Sequence, residues 1–190
     1  MGQERRTALV GIAITAGMLL LLAAMGRTWW CACGSPVPWS FDVWSSHNSQ
    51  HLVDPYSLSH FLHGLVFYAA LWPLGRRLSL RTRFLLALGI EAGWEVLENT
   101  PMVIERYRAV TMSLDYYGDS IVNSLGDVLC FLPGWWVAAR ARVRVSVALF
   151  VATELLTAVW IRDGLVLNVI MLLWPLDAIR DWQMAGLTGG

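Results

Sequence analysis

Charge is scarce in this 190-residue sequence: 15% of its residues are charged, 56% are hydrophobic, and its 14 basic residues are all arginine. Balanced by 14 acidic side chains, they leave a formal net charge of zero, which excludes the basic footprint that nucleic-acid binding requires. Cysteine is scarcer still. Three residues cannot build a disulfide framework, Cys31-Ala32-Cys33 is neither a CxxC motif nor a pair of zinc knuckles, and Cys130 sits in an apolar run where packing accounts for it. There is no HExxH, no ExxH pair of the ferritin-like kind, no phosphate-loop glycine pattern, no nucleophile elbow around Ser59 and no visible inverted repeat.

What the chain has in quantity is apolar length and tryptophan. A mean hydropathy of +0.52 and 11 tryptophans predict an all-α polytopic membrane bundle, one integral membrane domain over residues 1–190, with indoles at the interfaces. Apolar runs predict six transmembrane helices, near residues 8–25, 56–74, 84–99, 120–138, 145–161 and 165–176, the last of them short for a full crossing. The first, preceded by Arg5 and Arg6, reads as an uncleaved signal anchor. Residues 27–55 form an outer loop with room for one interfacial helix, and residues 101–118 form a second, with a surface helix over 103–108. Asp54-Pro55 supplies an N-cap and first helical residue for the second span, Pro101 ends the third, and Pro133-Gly134 is placed to kink or shorten the fourth. On this plan ten arginines (5, 6, 76, 77, 81, 83, 140, 142, 144 and 180) lie on one side and four (27, 106, 108 and 162) on the other. The bias puts both termini in the cytoplasm.

Polar residues inside such segments are expensive and turn toward protein, partner charge or water. Glu91, Glu95 and Glu98 fall on one helix face at i, i+4 and i+7. The topology then sets His60, His63, Glu95, Glu98, Asp119 and Asn123 at one depth in the outer half of the bilayer, with Glu91, Asp127 and Glu154 in a deeper layer. Imidazole plus carboxylate suits a divalent metal, zinc, iron or manganese, with His60, His63, Glu95, Asp119 and Asp127 as candidate ligands. A metal there would activate water or polarise an ester or phosphoryl group, which makes His60, His63, Glu95, Glu98 and Asp119 the candidate catalytic residues. Glu91, Asn123, Arg106, Arg108, Arg162 and Tyr117 are candidate contacts for a lipid-linked or amphiphilic substrate arriving from the membrane lipids. The arginines read equally as counter-charges for Glu105, Asp115 and Asp163. Glu154 is placed to hold a histidine tautomer, and Glu91 and Glu98 to share a proton or pair with Arg162. His47 and His51, four apart and flanked by Asp42 and Asp54, form a peripheral group that reads as a metal-binding set or as exposed loop polarity. Gly64, Gly93, Gly118 and Gly126 allow close helix approach or turns.

Three function classes fit these residues. The first is a small membrane enzyme, a metal-assisted hydrolase or transferase. The second is a proton- or ion-coupled transporter, and the third a non-catalytic assembly protein whose buried polar network fixes helix registration. The segments SHFLHG, EAGWEVLENTPMVIERYR, LDYYGDSIVNSLGD and IRDGLVLNVIMLLWP together resemble an uncharacterised family of alphaproteobacterial multi-pass membrane proteins over residues 30–176. That resemblance implies an inner-membrane protein and reinforces His60, His63, Glu91, Glu95, Glu98, Asp119, Asn123 and Asp127 without assigning their chemistry.

Overall fold

The computed structural model describes residues 2–111 and 116–185, so Asp115 and its expected counter-charge role lie outside the described residues. All the regular structure described is helical: α1 Gln3–Ala24, α2 Ser57–Leu71 with a 3-10 extension Trp72–Arg76, α3 Leu80–Glu98, α4 Pro101–Val110, α5 Ile121–Arg140, α6 Val143–Trp160, α7 Leu165–Leu173 and α8 Asp177–Met184. The expected interfacial helix in 27–55 does not form. Turns and one isolated bridge, Trp39 with Val53, take its place.

Local chemistry explains the helix starts. Asp54 accepts from the N–H groups of Tyr56 (2.7 Å) and Ser57 (3.2 Å) and so caps the turn entering α2. Ser79 caps α3 through the Thr82 N–H at 3.1 Å, and Ser120 caps α5 through the Asn123 N–H, also at 3.1 Å. Pro101 opens α4 at a position where its missing N–H costs nothing. Pro133 sits inside α5, which continues to Arg140 and is not shortened there.

Among the described residues three helices, α1, α5 and α6, are long and apolar enough to cross a membrane. The surface suits that setting. Ile12, Leu20, Val143, Leu155 and Val159 are all more than 60% exposed, while Glu91 and Glu95 are 0% exposed. The molecule is apolar outside and acidic within, the reverse of a water-soluble domain.

Close backbone contact locks α2 to α5. Ser57 meets Asp127 and Gly64 meets Gly134, each pair 70 residues apart, so the two helices run in the same direction. A Cβ on Gly64 would overlap the Phe131 carbonyl, one on Gly134 the Phe61 carbonyl, and one on Gly126 the Leu52 carbonyl. Gly93 has open space around its Cβ position and serves no such approach. Antiparallel to α2 runs α3, which sets His60 against Glu95 and His63 against Glu91. Met18, Leu22, Leu88, Phe131 and Trp135 fill the apolar core between α1, α3 and α5.

The sixth segment departs from expectation. With nine residues α7 rises about 14 Å, less than half the ~30 Å hydrocarbon thickness. Both its ends are held at one end of the bundle: Glu154 accepts from the N–H groups of Leu165 (2.9 Å) and Val166 (3.1 Å), and Arg106 on α4 donates twice to the Leu172 carbonyl. Beyond it, Met184 of α8 packs beside Val43, Trp44, Tyr56 and Ile161. Gln3, by contrast, contacts Arg81 beside the α2–α3 turn. Gln3 and Met184 therefore lie at opposite ends of the bundle.

Asp163, in the turn between α6 and α7, is buried and accepts from the Gly164 N–H at 2.9 Å and the Tyr56 hydroxyl at 3.1 Å. Burial raises its pKa to about 7, the hydrogen bonds offsetting part of the rise. A carboxyl raised in the folded state favours folding while protonated, so stability falls as pH climbs from about 4 to about 7 and then levels, by at most about 4 kcal/mol. In detergent-solubilised protein, Asp163→Asn should flatten the melting-temperature profile over that window relative to wild type.

Candidate functional site

Where α2 begins, α3 ends and α5 begins, the polar residues converge as the helical spacing predicts. Glu91 is the centre. Its Oε1 takes His60 Nδ1 at 2.7 Å and its Oε2 takes His63 Nδ1 at 2.9 Å, so one carboxylate orients both imidazoles. The His60 and His63 rings meet edge to face with centroids 4.9 Å apart, and His63 stacks on Phe67 at 5.2 Å. The expected separation of layers disappears here, because Glu91 and Asp127 reach the same histidine, His60, as Glu95. Asp127 Oδ2 stands 3.9 Å from His60 Nε2, and its Oδ1 accepts from the Ser57 hydroxyl at 2.8 Å.

Glu95 is the exception to this pairing. It is wholly buried, its Oε1 lies 3.2 Å from His60 Nδ1, and neither of its oxygens receives a hydrogen bond of good geometry. A buried carboxylate without donors is costly unless a proton or cation neutralises it. Glu98 lies one turn further along α3. One ligand atom each from His60, Glu95 and Glu98 falls within a mutual 4.8 Å, and the same holds for His60, His63 and Glu91.

Asp119 lies beside this group with its own partners. Tyr116 donates to its Oδ1 and the Asn99 side chain to its Oδ2, both at 2.9 Å, while the Asp119 N–H donates to Asn99 Oδ1 at 2.7 Å. Above the cluster opens a cavity of about 520 Å³, within the usual size of small-ligand sites. His60, His63, Glu98, Asp119, Asp127, Tyr107 and Tyr116 supply its polar wall, and Phe67, Ile90, Trp94, Leu97, Val169 and Leu172 its apolar one. Burial raises the Tyr107 and Tyr116 hydroxyls well above the ordinary phenol range, reinforced by nearby carboxylates, so both stand as neutral donors. Asp54, at the mouth of α2, is raised to about 6 by burial and by Asp119.

Other sequence candidates lie elsewhere. Asn123 donates to the His51 carbonyl at 2.7 Å and ties the outer loop to α5. Arg106 serves α7, Arg162 donates to the Trp182 carbonyl at 2.9 Å and lies over that indole, and Arg108 is exposed on α4. Tyr117 is exposed and donates to the Ser46 carbonyl at 3.2 Å. None of these five lines the cavity, and Glu154 holds the start of α7 instead of a histidine. Tyr107, Asn99 and Trp94 line or brace the chamber without having stood out in the sequence, and Tyr116 joins them. Tyr116 carried a faint signal, its place three residues before Asp119.

Apolar helices long enough to cross a membrane, together with a buried histidine–carboxylate chamber, define a helical membrane-associated protein. Its sequence relatives agree on lineage: a family model described as protein of unknown function (DUF2585) matches residues 22–185. The chain is 51% identical over 173 residues to a UPF0314 protein of Paracoccus denitrificans, covering 88% of this chain and 90% of that one. It is 48% identical over 184 residues to one from Rhizobium meliloti (95% and 93%) and 45% identical over 186 residues to one from Sphingopyxis alaskensis (97% and 98%). The chain belongs to the DUF2585 (UPF0314) family, whose members here are alphaproteobacterial. No solved structure matches it.

Glu91→Gln tests the bridge at the centre. An amide presents one acceptor where two ring N–H groups converge, so at least one histidine loses its partner, at a cost of about 3–5 kcal/mol. Nitrogen NMR of labelled imidazoles should show both rings protonated at Nδ1 in the wild type and a changed tautomer balance for at least one in the variant.

Proposed function

We propose that the chamber is a divalent-cation site within the inner membrane, built on a buried polar network and placed under a pocket for the polar end of an amphiphilic molecule. Glu95 carries this reading: a fully buried carboxylate with no hydrogen-bond donor, beside His60 and Glu98 at ligand spacing. The donor set, one imidazole and two carboxylates, suits zinc, iron or manganese. Glu91, paired with His63 and with the same His60 nitrogen that lies nearest Glu95, flanks the site. In the pocket the neutral tyrosines and Ser59 face the polar end of a ligand, while Phe67, Ile90 and Leu172 face its apolar chain.

The positive-inside rule orients this reading. Arg5, Arg6, Arg76, Arg77, Arg81, Arg83, Arg140, Arg142 and Arg144 gather at the end of the bundle away from the chamber, which supports a cytoplasmic position for that end and a periplasmic one for the chamber. With the 3-10 turn, α2 has the length for a crossing, and the 19 residues of α3 rise about 28 Å. Five crossings, α1, α2, α3, α5 and α6, with α7 and α8 on the periplasmic side, satisfy both the charge bias and the packing.

One observation favours a hydrolase or transferase as a second reading: His63 keeps the ring nitrogen opposite Glu91 available at the wall of a pocket beside the cation ligands.

Metal analysis of protein purified into lipid nanodiscs tests the first reading. Glu95→Gln should remove one equivalent of bound divalent metal and weaken rebinding at least 100-fold. Metal content unchanged in folded Glu95→Gln and His60→Gln proteins would leave the chamber as a proton-sharing structural network.

A further inference from the structure

Between Ala24 and Ser57 the chain forms no helix, yet it covers one end of the bundle. Irregular segments of that length inside compact folds need something to hold them. The apolar contacts available are few, chiefly Val43 with Trp44, Tyr56 and Ile161.

A second set of side chains meets within this segment, apart from the chamber. Ligand atoms of Cys31, Cys33, His47 and His51 all lie within 4.8 Å of one another. Cys31 Sγ is 3.2 Å from His47 Nδ1, and Cys33 Sγ is 3.7 Å from His51 Nε2. In a tetrahedral site with bonds of about 2.0–2.3 Å, neighbouring ligand atoms stand about 3.3–3.8 Å apart. The four groups already have nearly that spacing.

The surroundings complete a metal site. Each sulfur receives a backbone N–H, Cys31 from Cys33 and Cys33 from Ser35, both at 3.4 Å, which is the support a thiolate needs. Gly34, at φ 69°, makes the turn that brings these amides back. His51 Nδ1 donates to the Val37 carbonyl at 2.5 Å, which leaves the Nε2 lone pair facing Cys33. That backbone partner on the second nitrogen is the usual outer-shell arrangement of a metal-binding histidine. Asp42 and Asp54, the carboxylates flanking the histidines in sequence, are engaged with the Trp44 and Tyr56 amides instead.

We propose that Cys31, Cys33, His47 and His51 form a four-coordinate structural zinc site that staples the outer loop over the chamber. Two thiolates and two imidazoles suit zinc in preference to the oxygen-seeking cations, and exposed Cys33 gives the ion a way in. The staple acts on the pocket through short links. His51 presents its carbonyl to Asn123, Gln50 accepts the Ser120 hydroxyl at 3.0 Å, and Asn48 and Ser49 between the two histidines line the cavity. This site stands whether or not the chamber holds a cation.

Cobalt substitution of the full-length protein in nanodiscs tests it, because only thiolate ligands give the intense near-ultraviolet sulfur-to-cobalt charge-transfer band. The band, with the visible spectrum of four-coordinate cobalt, should appear at one equivalent. It should persist in Glu95→Gln and vanish in Cys31→Ser/Cys33→Ser. X-ray absorption on zinc-loaded wild type, which needs no variant to fold, should show sulfur among the zinc neighbours, and in Glu95→Gln, where the chamber is disabled, two sulfur and two nitrogen neighbours. A folded wild type with oxygen and nitrogen neighbours only, or one isolated metal-free with Cys31 and Cys33 joined and lighter by two hydrogens, would overturn the proposal.

Discussion

The contact on which the rest of the molecule depends is the Glu91 carboxylate held between His60 and His63. An unpaired charge in this setting would cost several kcal/mol, so the helices bearing these groups cannot slide relative to one another without breaking both contacts. The bridge fixes α3 against α2 in antiparallel register, with Glu95 opposite His60 and Glu91 opposite His63. On the other side of α2, the Gly64 and Gly134 backbones fix α5 in parallel register, which brings Asp127 to the same histidine. Polar pairing and backbone contact thus specify one arrangement in a molecule whose outer surface offers lipid little to discriminate.

That arrangement leaves the chamber short of positive charge. Glu91, Glu95, Glu98, Asp119 and Asp127 are all buried around two imidazoles, and Arg27 reaches only the Asp119 carbonyl. Asp119 solves the problem with neutral donors, Tyr116 and Asn99, and Asp127 with Ser57. Glu95 has no such donor, so a proton or the cation proposed above must neutralise it. Apolar lining on the opposite wall suits a molecule with one polar end and one hydrocarbon end.

Much of this was legible in the sequence because helical periodicity and apolar runs are local signals. Three glutamates on one face, two histidines three apart and an aspartate series along α5 pointed to a shared chamber, and the chain folds to make one. The shortness of the sixth segment was legible too, whereas the contacts by which Glu154 and Arg106 hold its two ends were not. The meeting of Cys31 and Cys33 with His47 and His51 depends on an irregular loop, and no periodic pattern encodes where such a loop returns. Two of the arginines read as anion contacts, Arg106 and Arg162, are spent on carbonyls of α7 and α8, which only tertiary structure reveals.

The most direct test of the chamber is anomalous diffraction from crystals grown in lipid, measured on both sides of the absorption edge of the metal the purified protein carries. The account predicts a density peak bonded to His60, Glu95 and Glu98, with Glu91 still paired with His63. An ordered chamber with no anomalous peak, in which water or a second hydrogen-bond donor occupies the space beside Glu95, would contradict it.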